Sequence, residues 1–374
     1  MERRHHPSLA AAWALGLSVA AVCTGSPSRS PTSPDLGAPV PSSPGTPTLP
    51  AIPSLPPDPA GWIAFHSDPD TADDLYLTDG SGARPRALTD RIEAGVPPVW
   101  SPDGRWVAFD CCIPSFDEID VVGADGSGLH VAGRGAGQVG HPAWSPDSRF
   151  LAYSSYQDGL TYRVRLNGSG RTTLIQHGTD ASWSPDGKRL VYLSDRDGDL
   201  DIFTADADGS NSKALTRNDA PDFDPAWSAD GGRILFVSEH DGNSEIYAMG
   251  ADGSAQTNLS NSDTPDEGPR WSPDGRSVVY VSYRDGADPN TVGDGNAEVF
   301  VARADGSGTE NLTTDPGWDG DPAWSPDGRR LVYTRRDLHA ELWVMAADGS
   351  DKRMLPGLPA QANDCCAAWR PAVP

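Results

Sequence analysis

The amino-acid sequence predicts an all-β fold: a seven-bladed β-propeller over residues 61–374, preceded by a disordered proline-rich tether. Three observations predict it, namely a motif with a period near 44 residues, short β-rich runs behind each copy, and a composition unsuited to long helices. Glycine and proline contribute 40 and 35 of the 374 residues, which favours many turns. The hydrophobic content of 37% is too high for a chain that is disordered throughout.

The first segment, residues 1–22, is typical of a signal peptide. Two arginines precede the apolar run Leu9–Val22, which is too short to span a bilayer. Cys23 follows directly, and the four residues that end at Cys23 resemble a bacterial lipobox, in which the cysteine carries the lipid. We therefore expect an extracytoplasmic protein of the bacterial cell envelope, either lipid-anchored through Cys23 or secreted.

Residues 23–60 have the composition of a disordered linker. They contain twelve prolines among Ser, Thr and Gly, and such a stretch cannot bury a core. At roughly 3 Å per residue, a polyproline-rich tether of this length reaches on the order of 100 Å.

A tryptophan motif then repeats along the chain. Six copies of W-S-P-D-G, with Ser148 and Ala229 as the two departures, are followed by a truncated W-R-P. The seven tryptophans are Trp100, Trp144, Trp183, Trp227, Trp271, Trp324 and Trp369. In S-P-D-G, proline presets φ, the aspartate bonds its own backbone and glycine adopts a positive φ, so the motif predicts a hairpin turn. Its aspartate is therefore interpreted as a turn residue rather than as a metal or catalytic carboxylate.

Each of the first six tryptophan strands is followed by three further strand signals. An example is the run Leu190–Leu193, then a strand before the turn Ala207–Ser210, then a strand that ends at Leu215–Thr216. A seventh set of three begins at Trp62 without a tryptophan strand of its own. The strand at Trp369 supplies it, so the C-terminal strand should pair with the N-terminal three and remove the free sheet edges.

With these W-S-P-D-G repeats, residues 61–370 resemble the TolB-type propellers, a WD-repeat-like family. Similar repeats occur in the propellers of prolyl-oligopeptidase-like peptidases, whose hydrolase domain carries a G-x-S-x-G motif that this sequence lacks. The resemblance implies a propeller fold but is weakly specific for function; a complete fold with no catalytic set favours a TolB-like binding module rather than an enzyme.

Candidate site residues lie three positions before each tryptophan, where the innermost strand should enter the central channel. They are Pro97, His141, Asp180, Asp224, Gly268, Asp321 and Cys366, and two residues earlier lie Asp222, Asp319 and Asp364. We expect His141 and these acids at the channel mouth. Asp180, Asp224 and Asp321 are the candidate metal ligands, since hard oxygen ligands favour calcium. The alternative is that the carboxylates cap strand ends and face solvent.

A nine-residue insert, Asp285 to Gly293, lengthens blade six and makes the loop 285–298 a second place for calcium. The loop is rich in oxygen ligands, but Val292 and Phe300 stand where an EF-hand has ligands. A solvated loop is the favoured interpretation.

The remaining cysteines form two adjacent pairs, Cys111 with Cys112 and Cys365 with Cys366. An exported protein should not leave four thiols free, and the two pairs fall in neighbouring blades. We predict two disulfides between the pairs, which would hold the closing strand in place. Vicinal disulfides and a thiolate metal site are the alternatives.

Charge and motifs limit the functions. With 29 basic and 53 acidic residues the net charge is −24, which opposes binding to nucleic acid and to anionic membranes, so only an N-terminal lipid would bring a membrane contact. No H-E-x-x-H, P-loop or Rossmann pattern appears. The sequence favours a monomeric, cofactor-free module that binds a protein or an envelope polymer on its loop face. The alternatives are a hydrolase or lyase that cleaves polysaccharide with the carboxylates and His141 of the channel mouth, and a calcium-stabilised scaffold.

Overall fold

A computed structural model describes residues 61–67, 74–82, 85–90, 97–111, 117–284, 297–314, 317–355 and 363–372. These residues form seven four-stranded antiparallel sheets and no helix, so the predicted seven-bladed propeller is confirmed. Accordingly, none of them forms a helix that is long and apolar enough to cross a membrane. The predicted signal peptide, the lipid site Cys23, the linker 23–60, the insert 285–293, Cys112 and the side chain of Cys111 lie outside the described residues.

In each blade the two middle strands are six or seven residues long, and in five of the seven blades the outermost strand has only two residues. Blade 1 comprises β1 (Trp62–Ser67), β2 (Asp74–Asp79), β3 (Arg86–Ala87) and the last strand of the chain, β28 (Cys365–Trp369). Blades 2 and 3 comprise β4 (Val99–Trp100), β5 (Trp106–Cys111), β6 (Glu118–Gly123), β7 (His130–Arg134), β8 (Val139–Trp144), β9 (Phe150–Ser155), β10 (Leu160–Arg165) and β11 (Thr172–Gln176). Blades 4 and 5 comprise β12 (Thr179–Trp183), β13 (Arg189–Ser194), β14 (Asp201–Asp206), β15 (Lys213–Ala214), β16 (Asp222–Trp227), β17 (Arg233–Ser238), β18 (Glu245–Gly250) and β19 (Thr257–Asn258). Blades 6 and 7 comprise β20 (Asp266–Trp271), β21 (Ser277–Ser282), β22 (Glu298–Arg303), β23 (Glu310–Asn311), β24 (Trp318–Trp324), β25 (Arg330–Arg336), β26 (Ala340–Ala346) and β27 (Arg353–Met354).

The ring closes as predicted. β28 pairs antiparallel with β1, with Trp369 opposite Ile63 and Ala368 opposite Ala64. Every residue of β1 is buried, so this seam is part of the core. The innermost strands β28, β4, β8, β12, β16, β20 and β24 contact one another in a closed circle. Closure leaves neither the first nor the last blade with an open inner edge.

The repeated tryptophans join neighbouring blades through hydrogen bonds as well as through packing. In five cases the indole N–H donates to the main-chain oxygen of the residue before the tryptophan in the preceding blade. These pairs are Trp100 with Ala368, Trp144 with Val99, Trp227 with Ser182, Trp271 with Ala226 and Trp369 with Ala323, at 3.0 to 3.4 Å. The indole side chain therefore fills the space between two blades, and its N–H group fixes the register of one blade against the other.

The recurring L-T dipeptide has a structural reason within each blade. The Thr216 hydroxyl accepts a hydrogen bond from the Ile202 amide and donates one to the Asp201 carboxylate, both at 2.9 Å. Asp201 begins the third strand of its blade and is 2% exposed. The same arrangement is found at Thr89 with Asp74 and at Thr313 with Glu298. The hydroxyl thus satisfies a buried strand end and a buried carboxyl group together.

The S-P-D-G motif forms the turn that its residues predict. In blade 4, the Ser184 hydroxyl donates to Asp186 at 2.6 Å, and the Lys188 amide donates to the same carboxylate at 3.1 Å. Both bonds go to one oxygen of the Asp186 carboxylate, as expected for a turn residue.

Candidate functional site

The seven positions three residues before each tryptophan form what we call the channel-mouth ring: Pro97, His141, Asp180, Asp224, Gly268, Asp321 and Cys366. Six of the seven have left-handed backbone, with φ between 49° and 60°; proline at the seventh cannot. At these six the innermost strand carries a β-bulge against its neighbour. A bulge re-aims the side chain, and His, Asp and Gly tolerate this conformation best. The residue types of the ring therefore follow partly from its backbone.

His141 and Asp180 of the ring form an ion pair, with 3.0 Å between Nδ1 and Oδ1. The Tyr156 hydroxyl donates to the same Asp180 oxygen at 3.0 Å and also contacts His141 Nδ1. The Ser154 hydroxyl donates to this oxygen at 3.0 Å, and the Asp180 amide donates back to Ser154 at 2.7 Å. Three side chains, His141, Ser154 and Tyr156, thus hold the carboxylate of Asp180 in place.

This arrangement changes the charge state of His141. Burial opposes protonation, but the adjacent Asp180 carboxylate outweighs it, and Asp224 and Asp110 add to the effect, so the pKa of His141 rises to about 9. Burial would raise the pKa of Asp180, yet His141 and the bonds from Ser154 and Tyr156 lower it. At neutral pH the pair is ionic. His141, whose side chain is 47% exposed, then acts as a cation and a hydrogen-bond donor rather than as a base.

The other two carboxylates of the ring have cations of their own. Asp224 lies 3.7 Å from Arg270, and Asp321 lies 3.9 Å from Arg336. The Arg336 guanidinium also lies 4.2 Å from the centre of the Trp318 ring, a cation–π contact. The mouth therefore carries three separate ion pairs, contributed by blades 3 to 7.

The predicted metal ligands do not share a site in this arrangement. Asp180, Asp224 and Asp321 each have a different positively charged partner. Within the described ranges, no three His, Cys, Asp or Glu side chains are grouped so that they could hold a metal ion. Calcium at these residues stays a prediction that the geometry does not favour.

The acids expected beside the ring are buried. Asp222, Asp319 and Asp364 are at most 4% exposed, because they occupy the start of the innermost strand, where it packs against its neighbours. The Asn218 amide donates to Asp222 at 2.8 Å. Their place at the channel mouth stays a prediction; the structure shows them as buried acids at or next to the start of the innermost strands.

Sequence reasoning missed two acids of blade 6. Asp266 is the fourth member of the buried set and pairs with Arg284 at 3.1 Å, but burial outweighs the guanidinium and raises its pKa to about 6. Glu267 follows, and burial together with repulsion from Asp224 and Asp266 raises its pKa to about 7. The spacing from Trp271 could have identified Asp266, whereas Glu267 has no equivalent in the other repeats.

Two cavities lie away from the ring. One of about 350 Å³ lies between blades 3 and 4 and is lined by Tyr192, Arg196 and Ser212, among others. The other, of about 390 Å³, is lined by residues 217–220 and His240. Ring residues line neither of them.

Cys366 is the ring member in the closing strand, and it is unbridged, as is Cys365. Their Sγ atoms lie 2.8 Å apart. β5, which ends at Cys111, lies in the neighbouring blade, as predicted. The bridges from Cys365 and Cys366 to Cys111 and Cys112 stay a prediction, because half of the atoms involved lie outside the described residues.

Comparison with known proteins gives one family. The model of the family described as "TolB beta propeller domain" matches residues 62–222 and 221–292, more than half of the chain.

Individual relatives are more distant. The Tol-Pal system protein TolB of Zymomonas mobilis is 37% identical over 84 residues, which are 21% of this chain and 17% of that protein, so the match spans less than a fifth of the relative. The crystal structure of TolB from Acinetobacter baumannii has a TM-score of 0.53 at 21% identity, over 85% of this chain and 68% of that one. A puromycin-hydrolyzing peptidase from Mycobacterium tuberculosis has a TM-score of 0.61 at 13% identity, over 82% of this chain and 53% of that one. At these identities the solved structures support the fold alone.

Proposed function

We propose, from the premise that this chain belongs to the TolB β-propeller domain family, that it is a non-enzymatic binding module. It holds a protein or an envelope polymer against the face that carries the channel-mouth ring. It acts outside the cytoplasm, in the cell envelope, as a monomer, and its net charge of −24 excludes nucleic acid as a ligand.

The observation that carries the proposal is the set of three ion pairs at the mouth, His141–Asp180, Asp224–Arg270 and Asp321–Arg336. Each pair presents a fixed donor beside a fixed acceptor, which suits recognition of polar groups on a partner. A histidine whose pKa is about 9 holds its proton at neutral pH, so it is a poor general base. The charge state of His141 therefore favours binding over proton abstraction.

The test compares variants on the two faces of the propeller. The full chain is immobilised and exposed to an envelope extract, and the retained material is compared with that retained by the double variant Arg270→Ala and Arg336→Ala. We expect this variant to lose what the wild type retains. The matched control is Lys188→Ala, in an S-P-D-G-type turn at the opposite end of the strands, which should retain it. Equal retention by all three proteins would contradict the proposal.

A hydrolase or lyase that acts on polysaccharide is a second candidate, and one observation favours it. Glu267, with a pKa of about 7, is half protonated near neutral pH, and it lies close enough to Asp224 for the two carboxyl groups to repel each other. One protonated and one ionised carboxyl group are what glycosidic cleavage needs. The test is release of reducing or unsaturated ends from envelope polysaccharides. Release that Glu267→Gln abolishes would support it, and no release above a blank would reject it.

A calcium-stabilised scaffold is a third candidate. Its ligands would come from the loop 285–298, whose sequence is rich in oxygen ligands, or from Asp180, Asp224 and Asp321. A large drop in melting temperature in a calcium chelator would support it, and an unchanged melting temperature would reject it.

A further inference from the structure

Two adjacent thiols meet at the channel mouth although they lie in a β-strand. Successive side chains of a regular strand point to opposite faces of the sheet, which keeps neighbouring cysteines apart. In β28, the Sγ atoms of Cys365 and Cys366 are nevertheless 2.8 Å apart. Both residues are half-buried, and neither is in a disulfide.

The short distance between the two sulfurs results from the β-bulge in β28, which five other blades also have at this position. Cys366 occupies the ring position, with φ of 60°, and the register of β28 against β1 shifts between the partners of Ala64 and His66. The left-handed residue turns its side chain out of the regular alternation, to the side of its predecessor. At the same position the other five bulged blades have His, Asp or Gly and blade 2 has Pro97, so the paired thiols are particular to the blade that closes the ring.

We propose that Cys365 and Cys366 are a vicinal dithiol that oxidises to a disulfide with itself, rather than to bridges with Cys111 and Cys112. The left-handed residue has already brought the two sulfurs to 2.8 Å, so only a short further approach separates them from the S–S bond length of about 2.05 Å. Bridges to blade 2 would instead have to draw the two sulfurs apart.

The oxidant is a small disulfide of the glutathione class, and the exchange balances. One cysteine thiolate attacks the small disulfide, forming a mixed disulfide and releasing one thiolate. The sulfur of the other cysteine loses its proton and displaces the second thiolate from that mixed disulfide. Two protein thiols and one small disulfide become one protein disulfide and two small thiols. The product is a small ring through the peptide bond, which fixes the left-handed conformation of Cys366 covalently.

Peptide mapping of the full chain tests the proposal. Trypsin cleaves after Arg105, Arg134 and Arg353 but not between Arg370 and Pro371, so Cys111 and Cys112 fall in residues 106–134 while Cys365 and Cys366 fall in 354–374. The chain is equilibrated with oxidised glutathione, its free thiols are alkylated, and it is digested without reduction. We expect residues 354–374 as a single peptide, lighter by two hydrogens than its reduced form and not alkylated. Residues 354–374 joined to 106–134, or recovered with two alkylated cysteines, would overturn the proposal.

A dithiol-specific reagent gives an independent measurement on the reduced protein. One phenylarsine oxide binds two thiols that lie close together, and it should protect Cys365 and Cys366 from alkylation in the variant with Cys111→Ser and Cys112→Ser. The further substitution Cys365→Ser should abolish this protection, with an unchanged melting temperature showing that the fold is intact. If Cys365 and Cys366 are alkylated at the same rate with and without the arsenical, the proposal is wrong.

Discussion

Trp144 donates its indole N–H to the main-chain oxygen of Val99, 3.0 Å away, across the boundary between blades 3 and 2. Four other tryptophans of the repeat make the equivalent bond. Trp324 occupies the same position in blade 7, yet its buried Nε1 has no hydrogen-bond partner among the described residues. Equivalent tryptophans of one chain therefore differ in this hydrogen bond: Trp144 makes it and Trp324 does not.

We expect Trp144→Phe to lower the free energy of unfolding by about 1 to 3 kcal/mol, because it removes the bond and leaves the Val99 oxygen unpaired. Trp324→Phe is the matched control, since it makes a similar change in volume where no bond is lost. Urea denaturation followed by far-UV circular dichroism measures both. Equal destabilisation by the two substitutions would show that packing, not the hydrogen bond, holds the blades together.

The sequence predicts the fold well because the same residue types recur in each blade with the same local role. Turn chemistry explains S-P-D-G, and the need for a large flat side chain between blades explains the tryptophan. The indole hydrogen bond could not be predicted, since it depends on where the preceding blade places the oxygen of a residue such as Val99.

The pKa of His141 should be measurable by NMR titration of its ring protons. We expect a value near 9 in the wild type and a much lower one in Asp180→Asn, because that carboxylate is the main group favouring the charged ring. A folded-state pKa above the ordinary value of 6.5 means that the pair stabilises the fold fully below pH 6.5. This contribution is lost as the pH rises through 9.

The control for this titration is Asp147→Asn, in the turn of the same blade, where the carboxylate accepts from the Ser145 hydroxyl. It should leave the titration of His141 unchanged. A wild-type value close to 6.5 would contradict the ionic state of the His141–Asp180 pair and with it the argument against His141 as a general base at neutral pH.

Asp201 is a buried acid whose removal should stabilise the protein. Burial raises its pKa to about 6; the Thr216 bond opposes the rise, and repulsion from Asp199 and Asp197 adds to it. With the folded pKa above the unfolded one, its contribution to stability is present below pH 4 and is lost as the pH rises through 6. Asp201→Asn keeps an acceptor for Thr216. It should raise the free energy of unfolding at pH 7.5 by about 1 to 2 kcal/mol, and less at pH 4.5.

Denaturation at the two pH values checks this prediction, with Asp208→Asn as control. Asp208 is an exposed turn residue that accepts from Ser210, and its pKa is lowered by that bond, so its substitution should not stabilise the fold. A stabilisation by Asp201→Asn that is the same at both pH values would argue against ionisation as the cause.

Gly268 allows the cost of the left-handed ring position to be measured. Its φ is 60°, and a Cβ added there would meet no atom within 4 Å, so Gly268→Ala changes the backbone preference and little else. We expect a loss of about 1 to 2 kcal/mol in the free energy of unfolding. Gly268→Asn should lose less, since asparagine visits this conformation more readily. If alanine and asparagine cost the same, the position does not demand a left-handed residue.

The candidate site was only partly predictable. The spacing from the tryptophans identified His141 and the ring carboxylates, because every blade starts its innermost strand at the same place. It could not identify Arg270 and Arg336 as their partners, since one lies beside a tryptophan and the other ends β25. The Asp224–Arg270 pair joins blades 5 and 6, and the Asp321–Arg336 pair joins β24 and β25 within blade 7, so both depend on how the strands assemble rather than on the repeat.

Closure of the ring also determines when the first blade can be completed during synthesis of the chain. Ile63 of β1 finds its partner in Trp369, the last tryptophan of the chain. A ribosome that adds roughly 5 to 20 residues per second needs about 15 to 60 s to travel from one to the other. During that interval the first blade has three of its four strands and a bare inner edge, while each later blade is made in one continuous run. The ring can close only after β28 has been made, so β1 waits until then for its partner on the inner side.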